Sequence, residues 1–366
     1  MPNITLAELL IGVDNMLMEN HNRIFYSYSS YLKERYGTSA YRVAVDAGFS
    51  CPNRNADKTG GCTYCDELGA MAVYQRGQEA DLAHSGNSPL IDQVDTLPLS
   101  SQYLSPDLES RKKRIKVQIE NSINFLKRRY NPEYLLLYFQ AFSNTYAPVS
   151  ELKEIYDYSL SQANFKELIV STRPDCISRA NIKLLSSYQQ KGIDVWVELG
   201  LQTSNNNSLN RIKRGHSSKD FIRAFNLLKE NGIKTTVHLI FGLPGEGHAE
   251  IMNSINFLAN LEPEGVKIHN LHIPIGTEMF SEYLMGELTV PSGLRHLEYT
   301  IEAIERLPKD TIIHRLTCDT PSHRLGAPRT FFKKGSFYNL LTREMKLRGS
   351  WQGRLYNREL SQIEYI

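Results

Sequence analysis

The chain is sparing with cysteine and has no long apolar run. Five cysteines in 366 residues, three of them clustered, cannot lace a disulfide framework and fit a reducing compartment. No hydrophobic stretch approaches the ~20 residues that cross a bilayer. The N-terminus carries Glu8 and Asp14 and lacks a basic prefix, so it does not read as a secretory signal. Formal net charge is only +2, so bulk charge argues neither for nor against a nucleic-acid partner. Together these absences give the expectation of a cytoplasmic protein without a membrane segment. What is present, 41% hydrophobic and 22% charged residues, is the make-up of a globular protein with a substantial core.

Three of the cysteines fall in one polar stretch, DAGFSCPNRNADKTGGCTYCDELGA, from Asp46 to Ala70. Ten residues separate Cys51 from Cys62, and two separate Cys62 from Cys65. A C-x2-C pair lets two thiolates face one metal centre from a tight turn, and Gly60-Gly61 supplies the backbone freedom. No fourth cysteine or histidine is near in sequence; His84 lies nineteen residues on. A structural zinc closes its tetrahedron with four ligands, whereas three thiolates suit an iron–sulfur cluster with one iron left open. Zinc and plain structural thiols are the alternatives, although free cysteines are usually scattered through apolar runs.

The CTYC ending resembles the cluster loop of radical S-adenosylmethionine (SAM) enzymes. The wide spacing is similar to that of the Elongator catalytic subunit, and DAGFSCPNR…GGCTYC resembles the YhcC/YtqA-type family from about Arg23 to the C-terminus. That resemblance implies a [4Fe–4S] cluster held by Cys51, Cys62 and Cys65, with Tyr64 beside it. SAM bound at the open iron would be cleaved to a 5′-deoxyadenosyl radical.

Strand-like runs at 42–46, 135–139, 168–171, 195–201, 237–241 and 266–272, with a possible seventh at 312–316, alternate with amphipathic stretches such as 150–162 and 219–231. This is the pattern of parallel βα units, an α/β fold. Pattern alone does not choose between an open sheet and a barrel. The resemblance implies a partial (β/α)6 TIM-like barrel with the cluster loop after the first strand. The expected organisation is an N-terminal helical extension over 1–40, a barrel over 41–316 and a basic, aromatic extension over 317–366 packed on it. A short helix is expected over 5–20, and 78–107, rich in Ser, Pro, Asp and Gly, reads as a solvated loop, with a substrate lid as the lesser alternative.

Strand ends are where a parallel barrel gathers its chemistry. By the resemblance, Gln140 and Asn144 in YFQAFSNTYAP stand where SAM's amino group is bound, although the usual Gly-Gly-Glu is absent. In STRPDC, which resembles a TRPD motif, Ser171 would meet the ribose and Arg173 a carboxylate; a helix-capping turn is the plainer reading. In VELGLQTSNNNSLNRIKRGH, Gln202 and Arg214 match SAM-contacting positions. Glu198, four residues before Gln202, shares its face of the sheet. A carboxylate buried there is either functional or paired with a cation such as Arg173. His238, in HLIFGLPGE, stands on the adenine side. His269 and His272 could shuttle a proton or be satisfied core histidines, and no role is assigned to Cys176 or Cys318.

The helix expected over 112–130 has Ile115, Ile119, Ile123 and Leu126 on one face, flanked by Arg and Lys: a solvated outer face or a track for phosphates. From Arg324 to Arg354 eight Lys or Arg accompany one acid, Glu344, with Phe331, Phe332, Phe337, Tyr338 and Trp351 interleaved. That combination suits either RNA binding or packing against the barrel. The family resemblance implies maturation of tRNA wobble uridines, carboxymethylaminomethyl to aminomethyl, with a one-electron donor such as flavodoxin or ferredoxin as a further partner. A radical SAM enzyme acting on a small metabolite, and a non-enzymatic metal-binding module, are the other readings. Oligomeric state is not legible.

Overall fold

The structure, a computed structural model, describes residues 23–55, 60–65, 107–318, 320 and 324–356. The helix expected over 5–20 and nearly all of the loop over 78–107 lie outside these residues. Within them the strands in chain order are β1 (Ala40–Val45), β2 (Tyr134–Phe139), β3 (Phe165–Thr172), β4 (Asp194–Gln202), β5 (Lys234–Phe241), β6 (Gly265–Asn270), β7 (Ile273–Pro274), β8 (Ile312–Arg315) and β9 (Leu325–Ala327). Strands β1 to β6 and then β8 pair in parallel in that order, and β7 pairs antiparallel with β9. The seven parallel strands curl into a half-barrel, so the possible seventh strand is real and the fold is the expected α/β partial barrel.

Helices alternate with the strands: α1 (Tyr28–Tyr36), α2 (Leu108–Tyr130), α3 (Val149–Leu160), α4 (Arg179–Gln189), α5 (Asn206–Arg211), α6 (Ser218–Glu230), α7 (His248–Leu261), α8 (Glu278–Leu284), α9 (Gly293–Arg306) and α10 (Lys334–Leu347). Local chemistry starts and stops them. Asp107 caps α2 by accepting from the Ser110 N–H, and the helix ends where Asn131 turns left-handed. Ser178 with Asn181, and Ser217 with Asp220, form reciprocal capping boxes on α4 and α6.

Alternation along each strand divides the residues between two cores. Val43, Val45, Leu137, Phe139, Val170, Val197, Leu199, Val237 and Val266 face outward, against helix residues such as Ile115, Ile119, Ile155, Phe221, Phe225 and Leu258. Each such side chain contributes about 1.5–3 kcal/mol on burial. The opposite faces point into the half-barrel. Around the first residues of the strands this interior is apolar and aromatic: Leu136, Ile169, Trp196 and Ile312 pack with Leu32, Tyr28, Tyr31 and Tyr36 of α1. Tyr28 stacks on His314 at 4.2 Å, and Tyr31 meets Trp196 edge-on at 5.6 Å. Helix α1 therefore plugs the amino-terminal mouth. Towards the strand C-termini the interior turns polar.

The edge strand β8 is covered rather than left open. Ile313 N–H donates to the Tyr26 carbonyl, and Gln352, 5% exposed, accepts from Tyr26 N–H and donates to the Pro308 and Thr311 carbonyls. The C-terminal aromatics are spent on packing: Phe337 is fully buried, Phe331 and Phe332 lie against it and against His296 or each other, and the Tyr338 hydroxyl accepts from Leu316 N–H. Arg348 pairs with Glu298, and Arg354 with Glu305. Of the two readings of this segment, packing against the barrel is the one realised by its aromatics.

Candidate functional site

The described residues between Cys51 and Cys62 turn back on themselves. Arg54 N–H donates to the Cys51 carbonyl, Arg54 and Gly60 form an antiparallel bridge, and Cys65 N–H closes a turn on the Cys62 carbonyl. The loop is pinned over the strand C-termini: Thr63 N–H donates to the Ile212 carbonyl and Met279 N–H to the Thr63 carbonyl. Tyr64 packs with Ile212, Leu271, Ile273 and Met279.

Cations and amides surround the sulfurs. Arg54 Nη2 is 3.2 Å from Cys65 Sγ; Asn53 Nδ2 and Arg214 Nη1 are each 3.6 Å from Cys62 Sγ. Burial works to raise the Cys62 thiol, but the Arg214 guanidinium foremost, then Arg173 and the Asn53 amide, outweigh it and hold the thiol below its ordinary range. Cys176 shows the opposite case: burial pushes its thiol up to about 12, where it is inert. Among the described residues no group of three or more His, Cys, Asp or Glu could hold a metal ion. Thiolates bound to separate irons of a cluster need not converge on one point.

Gly200 makes room for this arrangement. Arg214 Nη2 donates to the Gly200 carbonyl at 2.9 Å, and a Cβ there would sit 2.7 Å from Arg214 Nη2 and 2.8 Å from Gln202 Nε2. Gln202 itself is left-handed (φ 75°), where the pairing of β4 with β5 slips. Such a conformation costs about 1–3 kcal/mol and is characteristic of working sites. Arg173 Nη2 donates to the Arg214 carbonyl at 2.7 Å, and the Arg173 guanidinium is bidentate on Asp175. Arg173 is therefore not the partner of Glu198; it orders the turn that carries Arg214.

Glu198 is fully buried and saturated. One oxygen accepts from Arg42 Nη1 at 2.7 Å; the other accepts from the Tyr138 hydroxyl (2.6 Å), Lys267 Nζ (2.8 Å) and the Ser171 hydroxyl (3.1 Å), and meets His238 Nε2 at 2.9 Å. Burial alone would raise the carboxyl, but Lys267, Arg42 and His238 outweigh it and hold it well below the usual range. Lys267 moves the other way: burial, with Arg315 and Arg42 nearby, lowers it to about 7 despite Glu198. Burial and Lys267 likewise lower His238 to about 4. A carboxylate so fully engaged is no free proton acceptor; it positions its neighbours. Ser171 and His238, expected at the ribose and adenine, both contact this carboxylate, Ser171 through its hydroxyl and His238 through Nε2.

Asn144 ties the loop after β2 to β3, its amide donating to the Ala141 and Ser171 carbonyls at 2.9 Å each, while its Oδ1 is buried without a partner. Gln140 stands half-buried at the same loop. His269 lies 5.7 Å from His238, ring to ring. His272 Nδ1 meets Thr320 Oγ1 at 2.7 Å and Cys318 Sγ at 3.7 Å, away from the Glu198 network.

Over residues 59–258 the chain matches the model of the radical SAM superfamily, and over 263–347 that of the radical SAM C-terminal domain. The chain belongs to the radical SAM superfamily. It is 31% identical to MJ0486 of Methanocaldococcus jannaschii over 93% of this chain and 94% of that protein. It is 29% identical to YtqA of Bacillus subtilis over 93% and 95%, and 34% identical to YhcC of Escherichia coli over 81% and 84%. Among solved structures, Elp3 of Methanocaldococcus infernus superposes with a TM-score of 0.59 at 22% identity, over 65% of this chain and 60% of that one; at that identity the likeness shows the fold.

Radical SAM enzymes use a [4Fe–4S] cluster and SAM, and the residues present suit both. Three cysteines could supply the soft donor set, and the surroundings of Cys62 favour its thiolate. Arg214 Nε and Arg173 Nη1 are buried cationic donors without partners beside it, and Asn144 Oδ1 is a buried acceptor without one. The structure brings Cys62, Gln202 and Arg214, all expected from the sequence, together around Gly200. Sequence reasoning did not name Asn53, Arg54, Arg42, Tyr138 or Lys267, although a lysine amid the apolar run of β6, on a strand covered on both faces, is a readable sign of a polar interior.

Proposed function

We propose that this radical SAM enzyme acts on the wobble uridine of tRNA, converting a carboxymethylaminomethyl side chain to aminomethyl, with Cys51, Cys62 and Cys65 holding the cluster. The observation that carries the reading is the placement of the cysteine loop over a half-barrel whose upper interior is positively charged and closed at its other end. Supporting the substrate are the similarity to YhcC and YtqA, and 32% identity over 158 residues to the tRNA uridine(34) acetyltransferase of Methanocaldococcus infernus, which covers 42% of this chain and 29% of that protein.

When bound, the cluster and SAM supply a 5′-deoxyadenosyl radical that abstracts hydrogen from substrate. The chain's own residues do the rest. Arg214 balances thiolate charge at Cys62, and its remaining N–H, with that of Arg173, would meet the SAM carboxylate. Asn144 Oδ1 would accept from the amino group, and Gln202 and Tyr64 would line the same cleft. Glu198 holds Arg42, Lys267 and His238 in place, and the outward-facing core keeps water from the reacting atoms. Lys113, Lys116, Lys127, Arg128 and Arg129, exposed along α2, are the better phosphate track now that the C-terminal aromatics are accounted for. Flavodoxin or ferredoxin is the proposed electron donor. We keep the division into a barrel over 41–316 with flanking extensions.

Comparison of tRNA nucleosides from cells with and without the protein tests the substrate: carboxymethylaminomethyluridine should accumulate at the wobble position when the protein is absent, and unchanged wobble uridines would refute it. Cys62→Ala should abolish both cluster absorbance and SAM cleavage; a reconstituted cluster of normal iron content in that variant would overturn the ligand assignment.

A further inference from the structure

The Glu198 network leaves cationic capacity unspent on its far side. Strands β6 and β8 pair Val266 with Ile313 but Lys267 with Arg315. The extra residue is a bulge, a device that re-aims side chains. Ile313 belongs to the outer core and His314 to the inner one; the bulge then returns Arg315 to the interior row beside Lys267. Its guanidinium has no ion-pair partner among the described residues. Lys267 Nζ uses two of its three donors, on Glu198 and on the Tyr138 hydroxyl at 3.1 Å. His269, two residues on and facing the same side, buries an Nε2 that has no partner. Lys267 and Arg315 thus lie side by side on the interior face of β6 and β8, and Glu198 is the one carboxylate that the described residues bond to either of them. A half-buried guanidinium with no ion pair among the described residues, beside a spare lysine donor and a buried ring nitrogen, suits an anionic group delivered by a ligand.

We propose that Arg315, Lys267 and His269 form a carboxylate-binding subsite inside the half-barrel that receives the carboxymethyl group of the substrate. This rests on the tRNA reading above and adds to it the recognition of the group to be lost. Arg315 offers a planar pair of donors to a carboxylate, and Lys267 a point charge. The pairing register places Gly200, His238, Lys267 and Arg315 in one row across β4, β5, β6 and β8. At ~4.8 Å per strand, Lys267 lies roughly 10 Å from Gly200, whose carbonyl holds the arginine at Cys62. A carboxylate held at the β8 end would leave its attached methylene between that anchor and the cysteine loop. The SAM carboxylate has its own unpartnered donors at Arg214 and Arg173, on the opposite side of the row.

The test is equilibrium binding to the reconstituted protein with SAM present. Three probes are compared: anticodon stem-loops carrying carboxymethylaminomethyluridine, the same stem-loops carrying aminomethyluridine, and the free carboxymethylaminomethyl nucleoside. Wild type should prefer the carboxylated probes. Arg315→Met and Lys267→Met should each weaken carboxylated binding about ten- to a hundredfold and leave the aminomethyl stem-loop unaffected. Should both variants retain the preference, the subsite is refuted while the tRNA reading stands. Should they lose SAM affinity instead, the anion is the cofactor's and the proposal falls. Should no stem-loop bind wild type while the free nucleoside binds in an Arg315-dependent way, the subsite stands and the tRNA reading fails.

Discussion

Individual residues in this half-barrel are governed by charge balance. Glu198 accepts five contacts, among them those of Arg42 and Lys267, so replacing it leaves the Arg42 guanidinium without its carboxylate. Glu198→Gln should cost about 3–5 kcal/mol at neutral pH, the usual toll for breaking a buried pair, measured by urea unfolding. The folded carboxyl is held below its unfolded value of ~4.3, so wild type's advantage is fully present above pH ~4.3 and is lost as pH falls through the folded value. An unchanged difference between wild type and variant at pH 3 would contradict that account. The cysteine trio stands out because its spacing lies along the chain, and Gln202 and Arg214 were expected from the family resemblance. The partners of Glu198 could not be read in either way: Arg42, Tyr138, Lys267 and His238 come from four other strands, and only the pairing register brings them together. The expectation of an Arg173 partner failed for the same reason. Arg173 lies beyond the end of its strand, above the carboxylate, and finds Asp175 first.

At the level of elements, the alternation of strands and helices was legible to within a few residues because each strand is apolar on its helix-facing side. Less legible was what seals the sheet's ends. Gln352, in a short turn after α10, joins the N-terminal segment to β8 through three hydrogen bonds, and nothing in its surroundings in sequence announces it. Gln352→Ala should strand those backbone groups and cost about 3 kcal/mol. It should also speed proteolysis around Tyr26, followed by mass spectrometry under native conditions. Normal stability with an intact N-terminal segment would show the clasp to be redundant. The C-terminal run of aromatics was ambiguous because a ring that stacks on a base and one that fills a core look alike in one dimension; Phe337 at zero exposure resolves it.

Taken whole, the molecule buries an unusual number of neutral imidazoles. His216, His238 and His296 are each lowered to about 4, and His269 and His314 are held well below the ordinary imidazole range, with burial the leading cause in every case. An unfolded histidine takes up its proton near pH 6.5, so between that pH and about 4 the unfolded chain binds more protons than the folded one. The histidines' contribution should therefore be level above pH ~6.5 and decline steadily below it, visible as a falling thermal midpoint between pH 6.5 and 4.5. A flat profile over that range would mean that these rings are solvated. The plug formed by α1 has another result. With one mouth stoppered by tyrosines, whatever reacts must come and go through the same doorway, tip first. A nucleotide embedded in a folded RNA would have to swing clear of its neighbours to reach the floor, and the spent cofactor could depart only after it withdrew.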